Sequence, residues 1–390
     1  MEFSSMPPGT MSGPAVAGAA AMSVPVVPAG GGDAVVVAAG VDCRMRLSGN
    51  RHEIGYRHGL ARRAAIHRFL ADGSARLEAI TGRTGEDLRR DVPRYGAVIG
   101  ERLPAMAEEV AGLAMGAGIS LTDAWLLQLR REIAGYQSVR CAGDCTTFVR
   151  SGPRGWSLGQ TIDLNGHMAD ELCVLEIAPD DCGRRLWMVS FTGLLGYLGM
   201  NDRGLAIGIN LVLAGDWEPG IPGYMTIRHL LEHADTIDDC LALLADLPLA
   251  SSRTFTVCEP ERAVMVEHIR GEIALLTDAP LCHANHFLHP GFLERDELNP
   301  FARTSSLRRL QACRDRLDRL TADATDEDLF EVLEAPPVLV PADGDVRREC
   351  TVASVVMHPR RPGESGQGAG RLCVRRAPGA VVSQQSQIRA

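Results

Sequence analysis

The sequence predicts an α+β protein built in packed layers, and three observations predict it. Apolar residues recur at three- and four-residue spacing through the first third of the chain. After about Tyr136 they fall into short β-rich runs parted by Gly, Pro and Asp. Helical pattern then returns only in blocks between runs of strands, which argues against regular βαβ winding.

Residues 1–40, rich in Gly, Ala, Pro and Val, predict a disordered or low-complexity leader. They lack the basic start of a secretory signal, Glu2 standing where positive charge would be, and Met11 or Met22 are alternative initiators. Residues 41–135 read as mainly helical, with few strand signals. The spacing predicts helices over 51–70, 77–90 and 95–113, and a further one capped by Thr122 or Asp123 and running to about Ile133. Beyond Tyr136, the runs CTTFVRS, WSLGQTIDL, LCVLEIA and RRLWMVSF predict strands, and an Asn201-Asp202-Arg203-Gly204 turn predicts a hairpin. Helix is expected over 225–247 and 306–333. Strands are expected over 254–257, 263–268, 272–276, 281–287, 351–358 and 371–374, with a frayed tail around the last of them. No internal repeat is visible.

Composition removes several functions. The 390 residues are 45% hydrophobic and 23% charged, ordinary for a globular chain with a substantial core. A net charge of −9 argues against general nucleic-acid binding, which needs a basic surface. All 40 basic residues are arginine. Without lysine there is no Schiff base for pyridoxal phosphate, no phosphate-loop or kinase lysine and no Ser-Lys dyad. The 11 cysteines form no regular framework, which predicts free thiols in a reducing, cytoplasmic setting. No run is long and apolar enough to span a membrane.

A free cysteine is usually a small buried hydrophobe. Cys145 differs in context. It follows the loop Arg140-Cys141-Ala142-Gly143-Asp144, where the helical part meets the strand-rich part, and it opens a strand with Thr146-Thr147-Phe148. That is where an N-terminal nucleophile has to stand. Attack of its sulfur on the preceding carbonyl, then hydrolysis of the thioester, frees an α-amine on the same residue. The amine's pKa of about 7.7–8 suits it to take the thiol proton, so one residue supplies both nucleophile and base.

The ordered set DCTTF, GQTID, TGLLGYLGMNDRGLAIGIN, EPGIPGYMTIRHLLE and HANH resembles the acyl-coenzyme A:6-aminopenicillanic acid acyltransferase family. Upstream, GNRHEIGYRHG and AEEVAGLAMGAGISLTDAWLLQLRREI are similar to that family's propeptide half, so the resemblance spans about residues 45–375. It implies the four-layer αββα sandwich of N-terminal-nucleophile hydrolases. Residues 41–144 would be a propeptide-derived helical chain and 145–390 a catalytic chain, held together by one core. Cys145 matches the nucleophile and Asp144–Cys145 the self-cleavage bond. Asp163, 18 residues on, matches the aspartate that holds the new amine. Asn285 matches the asparagine that joins a backbone N–H in the oxyanion hole. Arg348, read with Thr351 as R-x-x-T, matches an arginine assisting in the site. Gly193 matches a glycine in the strand turn beside it, Thr146 follows the nucleophile, and Arg130 and Glu132 match an Arg-x-Glu pair, implying an ion pair at the junction. The family's type member has glycine where this chain has Asp144.

The resemblance further implies acyl transfer from a small amide or acyl donor to water or an amine, in specialised metabolism, with no metal or cofactor. Its partners would be that donor, an amine acceptor and its own cleaved propeptide chain. Two other readings stay open. A papain-like hydrolase would pair Cys145 with His283 or His286 and need no cut; its mark is an imidazole on the thiol. A zinc-binding structural protein would use Cys141, Cys145, Cys282, His283 and His286.

Overall fold

The computed structural model describes residues 35–135, 145–153, 155–278, 281–361 and 370–379. Two strands open it, β1 (Val35–Ala39) and β2 (Cys43–Gly49). Neither was legible. β1 falls inside the expected leader, and β2 inside the half expected to be helical. Both are recruited by tertiary pairing: β1 runs parallel to the late strand at 370–376, and β2 parallel to the strand at 172–179.

Helices α1 (Arg51–Ala71), α2 (Leu77–Thr81), α3 (Gly85–Arg90), α4 (Val92–Arg102), α5 (Pro104–Ala117), α6 (Leu121–Gln128) and α7 (Arg130–Ala134) follow. Asn50 and Glu53 close a capping box that starts α1. The helix expected over 51–70 forms whole as α1, whereas those over 77–90 and 95–113 are each broken where local chemistry demands it. Gly82 turns left-handed (φ 71°) and ends α2, and Pro104, which has no N–H to donate, restarts the chain as α5. Ser120, rather than Thr122 or Asp123, caps α6 by accepting the Asp123 N–H.

The remaining strands are β3 (Thr147–Gly152), β4 (Gly155–Leu164), β5 (Leu172–Pro179), β6 (Leu186–Phe191), β7 (Leu198–Asn201), β8 (Ala206–Leu211), β9 (Arg253–Cys258), β10 (Ala263–Ile269), β11 (Glu272–Leu276), β12 (Cys282–His283), β13 (Cys350–Pro359) and β14 (Gly370–Arg376). Helices α8 (Gly223–His233) and α9 (Ile237–Asp246) split the expected 225–247 block at the capping box of Thr236. Helices α10 (Pro300–Leu317) and α11 (Asp326–Glu334) likewise split the 306–333 block. The expected strand over 281–287 shrinks to the two residues of β12.

One sheet has six strands in the order β1-β14-β13-β4-β3-β12, the other eight in the order β11-β10-β9-β8-β7-β6-β5-β2. The sheets face each other, with β3, β4 and β13 against β7, β8 and β9. Helices α1, α8 and α9 cover the eight-stranded sheet, with α5 packed on α1; α10 and α11 cover the six-stranded one. This is a four-layer αββα sandwich. A single apolar cluster runs through residues on both sides of the 136–144 junction, among them Ile54, Val110, Leu158 and Val189.

Two features tie the early helices to each other and to α8. Helices α1 and α5 touch backbone to backbone: a Cβ on Gly55 would stand 1.8 Å from the Glu109 carbonyl oxygen, and one on Gly116 2.0 Å from that of Tyr56. Arg51, Glu109, Arg228 and Glu232 also form a buried charge network in which Arg228 lies 3.1 Å from Glu109 and 2.6 Å from Glu232. Burial raises the Glu109 carboxyl; Glu232, equally buried, is held below its usual range because Arg228 and Arg51 outweigh its burial. Among the described residues no single helix is long and apolar enough to cross a membrane.

Candidate active site

Cys145 stands two residues before the start of β3, buried, with φ +64°. A residue with a side chain accepts this left-handed geometry at a cost of about 1–2 kcal/mol, so its surroundings must hold it. They do so through its carbonyl oxygen, which accepts hydrogen bonds from Arg309 Nη1 at 2.8 Å and Asn210 Nδ2 at 3.1 Å. Thr146 fixes the next link: its N–H donates to Thr161 Oγ1 at 2.9 Å, and its hydroxyl accepts from Arg309 at 2.9 Å.

The thiol itself meets β4. Its sulfur lies 3.5 Å from the Asp163 backbone nitrogen and 3.8 Å from the Tyr197 hydroxyl. Asp163 is fully buried and paired in register with Thr351 of β13. The 18-residue offset is therefore a β3–β4 hairpin that returns the aspartate to the cysteine. Tyr197 is braced by stacking on Tyr224 at 4.5 Å and by the edge of Phe191 at 5.5 Å.

Cys145 lines a narrow pocket with a free volume of about 60 Å³. Leu77, Met168, Phe191 and Leu194 give it apolar walls, and Gln128, Arg130, Arg131, Asn165 and Arg253 give it polar ones. Two of these arginines come from α7, so both sides of the junction build the pocket.

The other expected residues fare differently. Asn285 joins the same hydrogen-bonded group through Arg309, whose Nη2 donates to Asn285 Oδ1 at 2.7 Å; its own Nδ2 donates to Leu211 O at 2.9 Å. Gly193 takes φ +77° in the turn after β6, and a Cβ there would stand 2.6 Å from Leu127. Its carbonyl is held by Gln128 Nε2 at 2.7 Å, so the glycine lets α6 approach the turn. Arg130 and Glu132 do not pair, because residues two apart on a helix face different ways. Glu132 binds Arg253 at 2.9 Å, while Arg130 donates to the Ala75 carbonyl at 3.1 Å and lies over the Phe69 ring.

Arg348 is not brought to the thiol. Its side chain is 62% exposed and ion-paired with Asp343, in a turn whose Asp343 and Asp345 draw Arg348 and Arg347 outward. The arginine at the centre of the hydrogen-bonded group is Arg309. With Asn210, it is the residue that sequence reasoning missed. Arg309 sits in an arginine-rich helix, α10, whose pattern gives no sign that it is 1% exposed.

Asp144 and Cys141 lie outside the described residues. The imidazole that a papain-like site needs is not on the thiol: His283 bonds Glu267 at 2.8 Å and the Ala284 carbonyl, and His286 bonds Ser306 at 2.7 Å. Those commitments occupy both ring nitrogens of His283 and Nδ1 of His286, and among the described residues no cluster of metal-ligating side chains forms.

Residues 150–360 match the family model described as acyl-coenzyme A:6-aminopenicillanic acid acyl-transferase. Over 258 residues the chain is 27% identical to the acyl-coenzyme A:6-aminopenicillanic-acid-acyltransferase 40 kDa form of Emericella nidulans, covering 65% of this chain and 71% of that protein. An uncharacterized Archaeoglobus fulgidus protein is 24% identical over 235 residues, 51% of this chain and 38% of its own. Among solved structures, a Caenorhabditis elegans N-acylethanolamine-hydrolyzing acid amidase ortholog aligns at TM-score 0.43 and 15% identity, covering 57% of this chain and 95% of its own. Penicillin V acylase from Agrobacterium tumefaciens aligns at TM-score 0.38 and 13% identity, covering 55% and 80%. The family model covers more than half of the sequence, and the chain belongs to the acyl-coenzyme A:6-aminopenicillanic acid acyltransferase family.

Proposed function

We propose that the chain is a self-processing cysteine amidohydrolase or acyltransferase that works through a thioester on Cys145. The observation that carries this reading is the Cys145 sulfur at the wall of a pocket, 3.5 Å from the Asp163 amide. Cleavage of Asp144–Cys145 would leave the thiol and a new α-amine on one residue, the amine serving as the base with Asp163 beside it to hold its charge. Sulfur would then attack a bound acyl carbonyl, the leaving group would depart with a proton from the amine, and water or an amine acceptor would release the acyl group. Asn285, with a backbone N–H, is the proposed oxyanion donor, and such a donor is worth about 3 kcal/mol. Arg309 holds Cys145 and Asn285 in one frame. The propeptide-derived chain would stay bound, since it supplies α7 and the α1–α5 pair.

The direct assay is acyl trapping. Processed protein mixed with a panel of acyl thioesters and activated amides, then quenched in acid, is expected to carry the acyl mass on Cys145 and lose it to hydroxylamine. Turnover with the acyl mass on another residue, or an equal adduct on Cys145→Ala, would sink the proposal.

A further inference from the structure

At the end of β4 away from Asp163, side chains from three elements meet. Ser157 stands on β4, His358 near the end of the neighbouring strand β13, and Asp326 in the first turn of α11, which covers both strands. At about 3.3 Å per strand residue, Ser157 lies about 20 Å along β4 from Asp163, so this group is separate from the Cys145 site. The Ser157 hydroxyl is 2.8 Å from His358 Nδ1, and His358 Nε2 is 3.0 Å from Asp326 Oδ1. The imidazole and the carboxylate are largely shielded from water, at 12% and 14% exposure.

The chemistry of these atoms fixes the protons. An ionised carboxylate can only accept, so Nε2 carries the ring proton and donates it to Asp326. Nδ1 of the neutral ring then offers a lone pair, and the Ser157 hydroxyl donates to it. Asp326 is itself kept ionised. Arg371 and the Cys373 thiol bond its other oxygen, and the hydrogen bond from His358 outweighs burial and holds the carboxyl at about 2. Hydroxyl, base and orienting acid thus stand in series, the roles of a Ser-His-Asp triad, with the two ring nitrogens exchanged relative to the serine-protease arrangement. Ser157 and His358 also line a cavity with a free volume of about 230 Å³, against about 60 Å³ beside Cys145. Pro153, Ala324 and Leu329 give it apolar walls. Arg150 lines it too; as the cross-strand partner of Ser157 in the β3–β4 hairpin, it brings positive charge to the wall that holds the hydroxyl.

We propose that Ser157, His358 and Asp326 form a second active site, a serine esterase for small uncharged carboxylic esters. Ser157 Oγ attacks the ester carbonyl while its proton passes to His358 Nδ1. The tetrahedral adduct collapses, the C–O bond to the alcohol breaks, and the alcohol leaves with that proton. Water, giving a proton to Nδ1, then attacks the acyl-serine, and the carboxylic acid and free Ser157 are released. Ser157 and His358 are the catalytic residues; Asp326 is a positioning residue that fixes the tautomer and steadies the imidazolium. The site stands independently of the Cys145 thioester.

The test treats the full wild-type chain with a fluorophosphonate, which phosphonylates an activated serine with loss of fluoride, and times each adduct by peptide mass spectrometry. The exposed Ser48 is the control within the same protein. Ser157 is expected to label about a hundredfold faster than Ser48 or more, since general-base assistance is worth about 10²–10⁴. His358→Gln is expected to remove that advantage. Asp326→Asn is expected to remove most of it, and Asp326→Glu to restore part, which a purely structural carboxylate would not do. Hydrolysis of p-nitrophenyl acetate, measured in the Cys145→Ala background to exclude the other nucleophile, is expected to fall in step and to be lost in Ser157→Ala. Labelling of Ser157 no faster than Ser48 overturns the proposal, as does hydrolysis that survives Ser157→Ala in full or labelling unchanged in His358→Gln. Should the His358 or Asp326 variants not fold, the Ser157-to-Ser48 ratio decides, because it needs no substitution.

Discussion

Replacing Arg309 with leucine removes the donor that joins three parts of the site. Its guanidinium gives 2.8 Å to the Cys145 carbonyl, 2.9 Å to Thr146 Oγ1 and 2.7 Å to Asn285 Oδ1, all buried. Asn210 keeps a bond to the Cys145 carbonyl, so that group is not orphaned. The other two lose a charged donor, and breaking such a buried group costs about 3–5 kcal/mol. Only part of this is expected to appear as lost stability, since Cys145 also loses its fixed left-handed geometry. At about 1.4 kcal/mol per tenfold, self-cleavage is expected to slow by about a hundredfold or more. Arg309→Lys keeps a charge without the planar fork and should fall between. The assay pairs a time course of chain cleavage with a thermal melt on each variant. Wild-type cleavage and an unchanged melt in Arg309→Leu would refute the assigned role.

Two further outcomes follow from packing and burial. Gly55→Ala is expected to lower the melting temperature. Its Cβ would meet the Glu109 oxygen at 1.8 Å, and overpacking of about 1–3 kcal/mol or more outweighs a helix-propensity gain of about 1. Gly100→Ala in α4, with nothing within 4 Å, should instead be neutral or stabilising; the opposite order of the two melts would contradict the backbone-to-backbone contact. His58 is buried with neither ring nitrogen bonded, and burial, then Arg62 and Arg228, lower its pKa from 6.5 to about 3. The unfolded chain therefore binds the extra proton, and stability present above pH 6.5 is lost as the pH falls toward that lower value. His58→Leu removes this loss, so denaturant melts should show a gain at pH 5 that exceeds the gain at pH 8 by about 2 kcal/mol. A gain independent of pH would mean that the imidazole is solvated.

The layered α+β class and most strands were legible because they depend on local pattern: alternating or continuous apolar runs between Gly, Pro and Asp. What was not legible depended on distant partners. Val35–Ala39 reads as low-complexity sequence until β14 pairs with it, and Cys43–Gly49 as part of the helical half until β5 does. Helix ends shifted where a single residue, Gly82, Pro104 or Ser120, decided them. In the site, Cys145 was singled out by its place at the junction and Asp163 by the resemblance, and the β3–β4 hairpin brings the Asp163 amide to the thiol. Arg348 was expected from the resemblance, as R-x-x-T before a strand, but its ion pair with Asp343 holds it outside. Arg309 fills the central place from a helix 164 residues away, where nothing local marks one arginine among many as buried.

The central claim is that Cys145 becomes the first residue of its chain. Intact mass spectrometry of the purified wild type beside Cys145→Ala tests it most directly. The account predicts two wild-type fragments parted at Asp144–Cys145 and a single whole mutant chain. A wild type that stays whole under conditions where it is folded, or a mutant that is cut at the same bond, would contradict it.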